Sequence, residues 1–306
     1  MPETPHVETL LYGFFSPDFV SEERFLASLD DLAAKIPSPD TIAPTRIHDA
    51  RHLQSSAQGD TSFSEARFFD EHGFVLLPHE SAVENWDIDP SQPEAPQDAV
   101  RTYHPEAEAL IRSRLLPGRK LEVYQGPPAR RGPGTANPTY AFGVHQDYGL
   151  SPDDYQESIL AFTTPEIARG WRQRFDMDDV EGFMVINLWR PVYCDGPLMR
   201  TPLAVCEPHS VHLDDCVPLG LLDFTPTGLP TNQLSMRPHP DQRWYYYPAM
   251  TNDEVLAFKN FEFFKDDRDL QVEACFHSAF EDPATPPDAA ERQSCEHRVS
   301  IFFLKD

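Results

Sequence analysis

The chain has 306 residues, with 50 Asp and Glu against 25 Lys and Arg and a formal net charge of −25. That excess of negative charge argues against nucleic acid or an anionic membrane surface as partner, and no apolar run reaches the ~18 residues that a membrane-spanning helix needs. Five cysteines without a C-x-x-C pair fit free thiols in a reducing, cytoplasmic setting, and 31 prolines with 11% aromatics fit strands joined by stiff loops better than disorder.

In chain order, the N-terminus carries Glu3 and Glu8 and no basic segment, so no signal peptide is expected. Residues 21–35 place Phe25, Leu26, Leu29, Leu32 and Ala33 on one helical stripe, with Ser21 as N-cap and Pro37 as stop. Residues 38–66 and 87–100 are polar and proline-rich and are expected to be surface loops, with a helix over 105–116. From Lys120 the pattern becomes β: strands are expected over 121–125, 141–145, 182–190, 203–206, 244–247, 254–259, 271–280 and 297–303, with a helical insertion at 165–174. Eight strands suffice for a jelly roll. The expected organisation is mainly β with flanking helices, a double-stranded β-helix (jelly-roll, cupin-like) core over 119–306 and a mixed helical and loop region over 1–118 packed against it, together one structural unit.

Three H-x-D motifs occur, at His145/Asp147, His212/Asp214 and His239/Asp241. The last sits between prolines and reads as a loop, and the middle one runs into an Asp-Asp turn. Only the first closes a convincing strand, where residues i and i+2 share a face and an imidazole and a carboxylate can bind one metal from one side. A second imidazole with open positions beside it would complete the facial triad suited to Fe(II) and oxygen chemistry. His277 lies on an alternating segment near the C-terminus. On the final strand Arg298 and Ser300 share one face while Val299, Ile301 and Phe303 share the other, and an Arg beside a Ser hydroxyl can clamp a carboxylate. On the 182–190 strand, Met184, Ile186 and Leu188 form an apolar face, leaving Asn187 as the polar group aimed at the cavity. Arg190 could hold a substrate carboxylate, and Tyr124 could touch a co-substrate.

The order H-x-D, long gap, His, then Arg-x-Ser resembles the iron- and 2-oxoglutarate-dependent oxygenases. The segments Asn187–Pro191, Thr201–Cys206, Trp244–Pro248 and Phe276–Pro283 are similar to one branch of that superfamily, the fungal gibberellin-desaturase-like proteins and the cephamycin-pathway oxygenase component. The resemblance covers nearly the whole chain, with one departure: relatives tend to carry Lys-x-Tyr-Asp-Ser where this chain has Lys259 to Phe263. It implies His145, Asp147 and His277 as iron ligands and Arg298 with Ser300 on the distal carboxylate of 2-oxoglutarate. The interval from His277 to Arg298 is wider than the superfamily's, which makes Arg292 the alternative clamp, against its reading as a solvent-exposed charge beside Glu291. The implied cofactors are Fe(II), with 2-oxoglutarate and O2 as co-substrates. The implied activity is oxidation of an unactivated C–H bond, by hydroxylation, desaturation or ring closure, in a small natural-product intermediate, with Arg190 and the family branch pointing to one derived from an amino acid or peptide. The expected assembly is a monomer or homodimer. Two other readings stay open: a cupin-like metalloenzyme that does not use 2-oxoglutarate, and a non-catalytic ligand-binding barrel.

Overall fold

The computed structural model describes residues 5–13, 24–28, 42–88, 97–266 and 269–305. Strands β1 (His6–Gly13), β2 (Phe25–Ser28) and β3 (Ile42–Asp49) lead into helices α1 (Ala50–Gln58) and α2 (Glu65–His72), then β4 (Phe74–Pro78) and α3 (Asp98–Leu110). β5 (Leu121–Gln125), β6 (Ala129–Arg131) and β7 (Gly143–Gln146) precede α4 (Pro152–Phe162) and α5 (Pro165–Phe175). The remainder is β8 (Val180–Pro191), β9 (Leu203–Cys206), β10 (Cys216–Leu222), β11 (Gln233–Met236), β12 (Trp244–Tyr246), β13 (Glu254–Phe264), β14 (His277–Ala279) and β15 (Ser294–Leu304).

The large sheet runs β1-β3-β12-β9-β14-β7-β11-β10-β2, and β1 also pairs with β7, so the strands from β1 to β7 in that order close on themselves. The smaller sheet runs β4-β13-β8-β15-β5, with β6 on β15. The result is a double-stranded β-helix of the jelly-roll type with flanking helices, as its strand pattern leads one to expect. β8 sits in the middle of the smaller sheet and is apolar on both faces, the signature of a strand covered on both sides. Met184, Ile186 and Leu188 pack outward with Phe68, Phe69 and Tyr103 of α2 and α3, while Phe183 and Val185 pack with Tyr155, Phe261 and Phe302.

Local signals fix the element ends. α4 begins with a capping box between Ser151 and Asp154 and with Pro152 in its first turn, which together satisfy the free amides there. α2 ends at Gly73, whose φ of 78° lies in the left-handed region. A Cβ at that position would stand 2.7 Å from Cγ of Pro208, so both backbone and packing require glycine.

Several expectations are corrected. Phe25–Ser28 is a strand parallel to β10, not part of a helix; the rest of the expected helix, apart from Arg24, lies outside the described residues. The stretch expected to be a loop over 38–66 contains, in its described part, β3, α1 and the start of α2. Of β3 only Ile47 is buried outright, so its sequence carries almost no alternation, and pairing with β1 fixes it instead. Residues 98–100, expected to be loop, open α3, which begins seven positions before Pro105 and carries that proline inside it; residues 89–96 of that expected loop lie outside the described residues. Between 271 and 280 only His277–Ala279 pairs as a strand. Segment 1–118 supplies β1, β2 and β3 to the large sheet and β4 to the smaller one.

Candidate metal centre

His145 on β7 and His277 on β14 are directly opposed across an antiparallel pair. Opposed residues share a face, and the two rings lie with centroids 4.4 Å apart. Asp147 follows two residues after His145, its Oδ1 3.8 Å from His145 Nε2. One ligand atom from each of the three residues lies within 4.8 Å of the others, so small side-chain shifts would bring all three to the bonds of about 2.0–2.2 Å that one ion needs.

Both imidazoles are oriented by their own backbone. Nδ1 of His145 bonds the carbonyl of Gly143 at 2.8 Å, and Nδ1 of His277 that of Cys275 at 3.2 Å. A carbonyl only accepts, so Nδ1 carries the proton in each ring and Nε2 keeps its lone pair. Burial, reinforced by the neighbouring His277, pushes the His145 pKa down to about 4, so the ring is neutral at pH 7. Burial opposes charge on Asp147, yet Arg298, the two imidazoles and Asn260 hold its pKa below the usual carboxylate range. Its Oδ2 accepts from Asn260 Nδ2 at 2.8 Å and from Arg298 Nη2 at 2.8 Å and Nε at 3.1 Å, which leaves Oδ1 for an ion. Two imidazoles and one carboxylate on one side of a site fit Fe(II).

Asn260 carried no signal in the sequence. It sits where the β13–β8 register shifts between Lys259 and Phe261, and such a bulge re-aims a side chain against the strand's alternation.

Arg298 and Ser300 face inward from β15, with Val299, Ile301 and Phe303 in the core behind them. Arg298 is already paired, with Asp147 and with Glu296, another residue that sequence reasoning passed over. Its side chain is 44% exposed; loss of solvent disfavours its charge, but the two carboxylates hold its pKa above the usual arginine value. Ser300 Oγ lies 3.2 Å from the Tyr155 hydroxyl. Tyr124 is Ser300's partner on β5, but its ring is 53% exposed and its hydroxyl donates to Glu122. Asn187 is opposite Arg298 on one side and Phe258 on the other, is fully buried, and has no hydrogen-bond partner for either amide atom among the described residues.

Arg190 is not brought to the site. Being on the opposite face of β8 from Asn187, it donates to His79 Nδ1 and to the His79 carbonyl, both at 3.0 Å, and to the Asn252 carbonyl, and it lies over the Trp86 ring at 5.2 Å. Its guanidinium is a strut of the outer core and is not available to a substrate carboxylate.

Arg292 is not a surface charge either. It is 3% exposed, lies 4.2 Å over the Tyr140 ring and 5.5 Å from that of Trp189, and donates through Nη1 to the Thr201 carbonyl at 2.7 Å. Glu291 turns instead to Arg200, 3.6 Å away. Among the described residues Arg292 has no carboxylate partner, its Nε has no acceptor, and the buried hydroxyl of Ser294 is also unpaired. Burial, with Arg131 nearby, pulls its pKa down to about 9 against the weaker pull of Tyr140 and Glu296. The bond from Val192 N to Gln293 O at 3.0 Å carries the β15–β8 pairing back past Ser294, so Arg292 and Ser294 continue the inward-facing series of Glu296, Arg298 and Ser300. Arg292-x-Ser294 repeats the Arg-x-Ser spacing six residues earlier, a signal that could have found Ser294.

A family model described as "Oxidoreductase/YMDC permease-like domain" matches residues 35–302. Among curated proteins the chain is 32% identical over 126 residues to aspirochlorine biosynthesis protein N of Aspergillus oryzae, covering 39% of this chain and 48% of that protein. It is 34% identical over 127 residues to the hydroxylase/desaturase efuI of Hormonema carpetanum, covering 39% and 40%. The matches therefore span about half or less of these relatives' length. A solved structure of the iron and alpha-ketoglutarate-dependent endoperoxidase NvfI superposes with a TM-score of 0.67 at 21% identity over 100% of both chains, a likeness of fold. No described helix is long and apolar enough to cross a membrane. The chain thus belongs to the oxidoreductase/YMDC permease-like domain family, with fungal hydroxylase/desaturases and Fe(II)/2-oxoglutarate-dependent dioxygenases among its relatives.

Proposed function

We propose that the protein is a non-haem Fe(II)/2-oxoglutarate-dependent oxygenase, with iron on His145, Asp147 and His277 and the distal carboxylate of 2-oxoglutarate on Arg292 and Ser294. The observation that carries this reading is a metal-ready triad in the same barrel as a buried guanidinium that no carboxylate contacts among the described residues. With iron bound, 2-oxoglutarate and O2 supply the oxidising power to break an unactivated C–H bond while 2-oxoglutarate goes to succinate and CO2.

The chain's own residues have distinct parts in this. Asn260 and Arg298 hold the outer oxygen of Asp147, so that its other oxygen faces the imidazoles. Tyr140 and Trp189 fix the plane of the Arg292 guanidinium, leaving Nε and the Ser294 hydroxyl to donate to a carboxylate. The orphaned amide of Asn187, opposite Arg298, is positioned to meet the co-substrate or substrate. Charge balance supports the division. Asp147, Glu296, Arg298 and Arg292 sum to zero, and Glu296 feels both arginines and His145. A divalent cation and the 2-oxoglutarate dianion restore that neutrality together, whereas either alone leaves a buried net charge.

The substrate is a small natural-product intermediate, in keeping with the names of the relatives, and its oxidation is hydroxylation, desaturation or ring closure. The expectation of an amino-acid-derived substrate rested partly on Arg190 and loses that support. Tyr148, Tyr155 and Phe261 beside Ser300 favour an apolar one. An acidic protein in a reducing cytoplasm, monomeric or dimeric and without nucleic acid, fits this role.

The test is anaerobic visible absorption of metal-free protein titrated with Fe(II) and 2-oxoglutarate. A charge-transfer band that His277→Ala abolishes and Arg292→Met weakens supports the proposal. A band that responds to Arg298→Met and not to Arg292→Met would return the clamp to Arg298. No band in folded, iron-loaded protein would leave a metalloenzyme that does not use 2-oxoglutarate.

A further inference from the structure

Away from the barrel interior, two H-x-D motifs that the proposed oxygenase does not use come together. His212 precedes the short turn Leu213–Asp215 that enters β10, and His239 and Asp241 lie in the connection from β11 to β12. The two imidazoles meet edge to face with centroids 4.8 Å apart. One oxygen, Oδ2 of Asp241, lies 3.1 Å from Nε2 of His212 and 3.7 Å from Nδ1 of His239. Three such atoms, each on a different side chain, lie within 4.8 Å of one another, and the two distances to Asp241 are close to the ~3.3 Å between neighbouring donors around a tetrahedral ion with bonds of about 2 Å.

A hydrogen bond accounts for His212 and Asp241 but not for His239. Nδ1 of His239 accepts the backbone N–H of Asp241 at 3.3 Å. Nδ1 is therefore the unprotonated nitrogen of the ring, and its one lone pair, given to that amide through a long bond, is the one that would pass to an ion shared with Asp241 Oδ2.

We propose that His212, His239 and Asp241 form a second metal site, at the surface, for a borderline divalent ion of the zinc class. Two imidazoles and one carboxylate select Zn(II), Co(II), Ni(II) or Cu(II) over Ca(II) or Mg(II), which prefer oxygen donors. All three side chains are at least partly exposed, so water completes the coordination. The ion staples the β9–β10 connection to the β11–β12 connection. β11 is also the strand whose Ser235 pairs with His145, so the staple braces a neighbour of the iron ligands without touching them.

The experiment is equilibrium dialysis of metal-free, full-length protein against Co(II), a visible-absorbing stand-in for zinc, with the melting temperature of each variant recorded in metal-free buffer. Two Co(II) per wild-type chain are expected, falling to one in His239→Ala, to one in Asp241→Asn and to one in His277→Ala, which empties the other site. Asp241→Asn removes only an exposed charge, so it carries the test if His239→Ala melts early. One ion in wild type that is lost in His239→Ala and kept in His277→Ala supports the surface site while counting against the triad. One ion in wild type that His277→Ala abolishes overturns the surface site, as do two ions that survive both His239→Ala and Asp241→Asn.

Discussion

Replacing Arg292 by Met separates a binding charge from a structural one. A buried guanidinium that serves the fold is neutralised by a partner, and removing one member of such a pair costs about 3–5 kcal/mol. Arg292 has a carbonyl and two aromatic rings but no carboxylate. The fall of its pKa from 12.5 to about 9 is a penalty on the order of 5 kcal/mol against the charged form, present at every pH below the lowered value. Against that stand one hydrogen bond to a carbonyl, worth roughly 1–2 kcal/mol, and a cation–π contact, worth up to about 2 kcal/mol. A Met keeps most of the stem's packing. The metal-free Arg292→Met protein should therefore be as stable as wild type or about 1–2 kcal/mol more stable by urea unfolding. Its affinity for 2-oxoglutarate, read from the charge-transfer band, should fall by the 2–5 kcal/mol that a buried charged hydrogen-bonding pair contributes, or about 30-fold to several thousand-fold. A loss of 2 kcal/mol or more in stability with 2-oxoglutarate affinity within threefold of wild type would refute the reasoning and make Arg292 a strut like Arg190.

Asn260→Ala should weaken iron binding by about 10- to 100-fold, because it frees one of the groups that orient Asp147; an Fe(II) titration matching wild type would count against that role. Gly73→Ala should cost roughly 1–3 kcal/mol in urea unfolding, since it places a Cβ 2.7 Å from Pro208 at a φ of 78°, and a loss below about 0.5 kcal/mol would show that the turn can shift. Burial opposes the charge of Glu207, but His72 and Arg243 bring its pKa below the usual value. Its stabilisation is therefore complete above the unfolded carboxylate pKa of about 4.3 and is lost as pH falls through the lower folded value. Glu207→Gln should be less stable than wild type at pH 7, and the gap should narrow in strong acid; a gap that stays constant from pH 7 to pH 3 would be incompatible with that linkage.

The candidate metal triad was legible in the sequence because its residues obey strand alternation. His145 and Asp147 need only i, i+2 spacing at a strand end, and His277 needs only to be opposite them. β15 was legible for the same reason, with Val299, Ile301 and Phe303 buried at alternate positions, and β8 by its nearly unbroken apolar run. β1 and β3 were not, because few of their residues are buried outright and the pairing that holds them is long-range. Asn260 was hidden by the irregularity in β13, where alternation would point it away from Asp147. The hardest case was the choice between two arginines with the same signature. Arg292-x-Ser294 leads into β15 and Arg298-x-Ser300 lies within it, on the same face, and spacing alone cannot rank them. What separates them is the location of the acids: Asp147 and Glu296 both turn to Arg298, while Glu291, adjacent to Arg292 in sequence, turns to Arg200. A neighbour in sequence is not a counter-charge in space, and the arginine that keeps its charge without one is the better receptor for an incoming carboxylate.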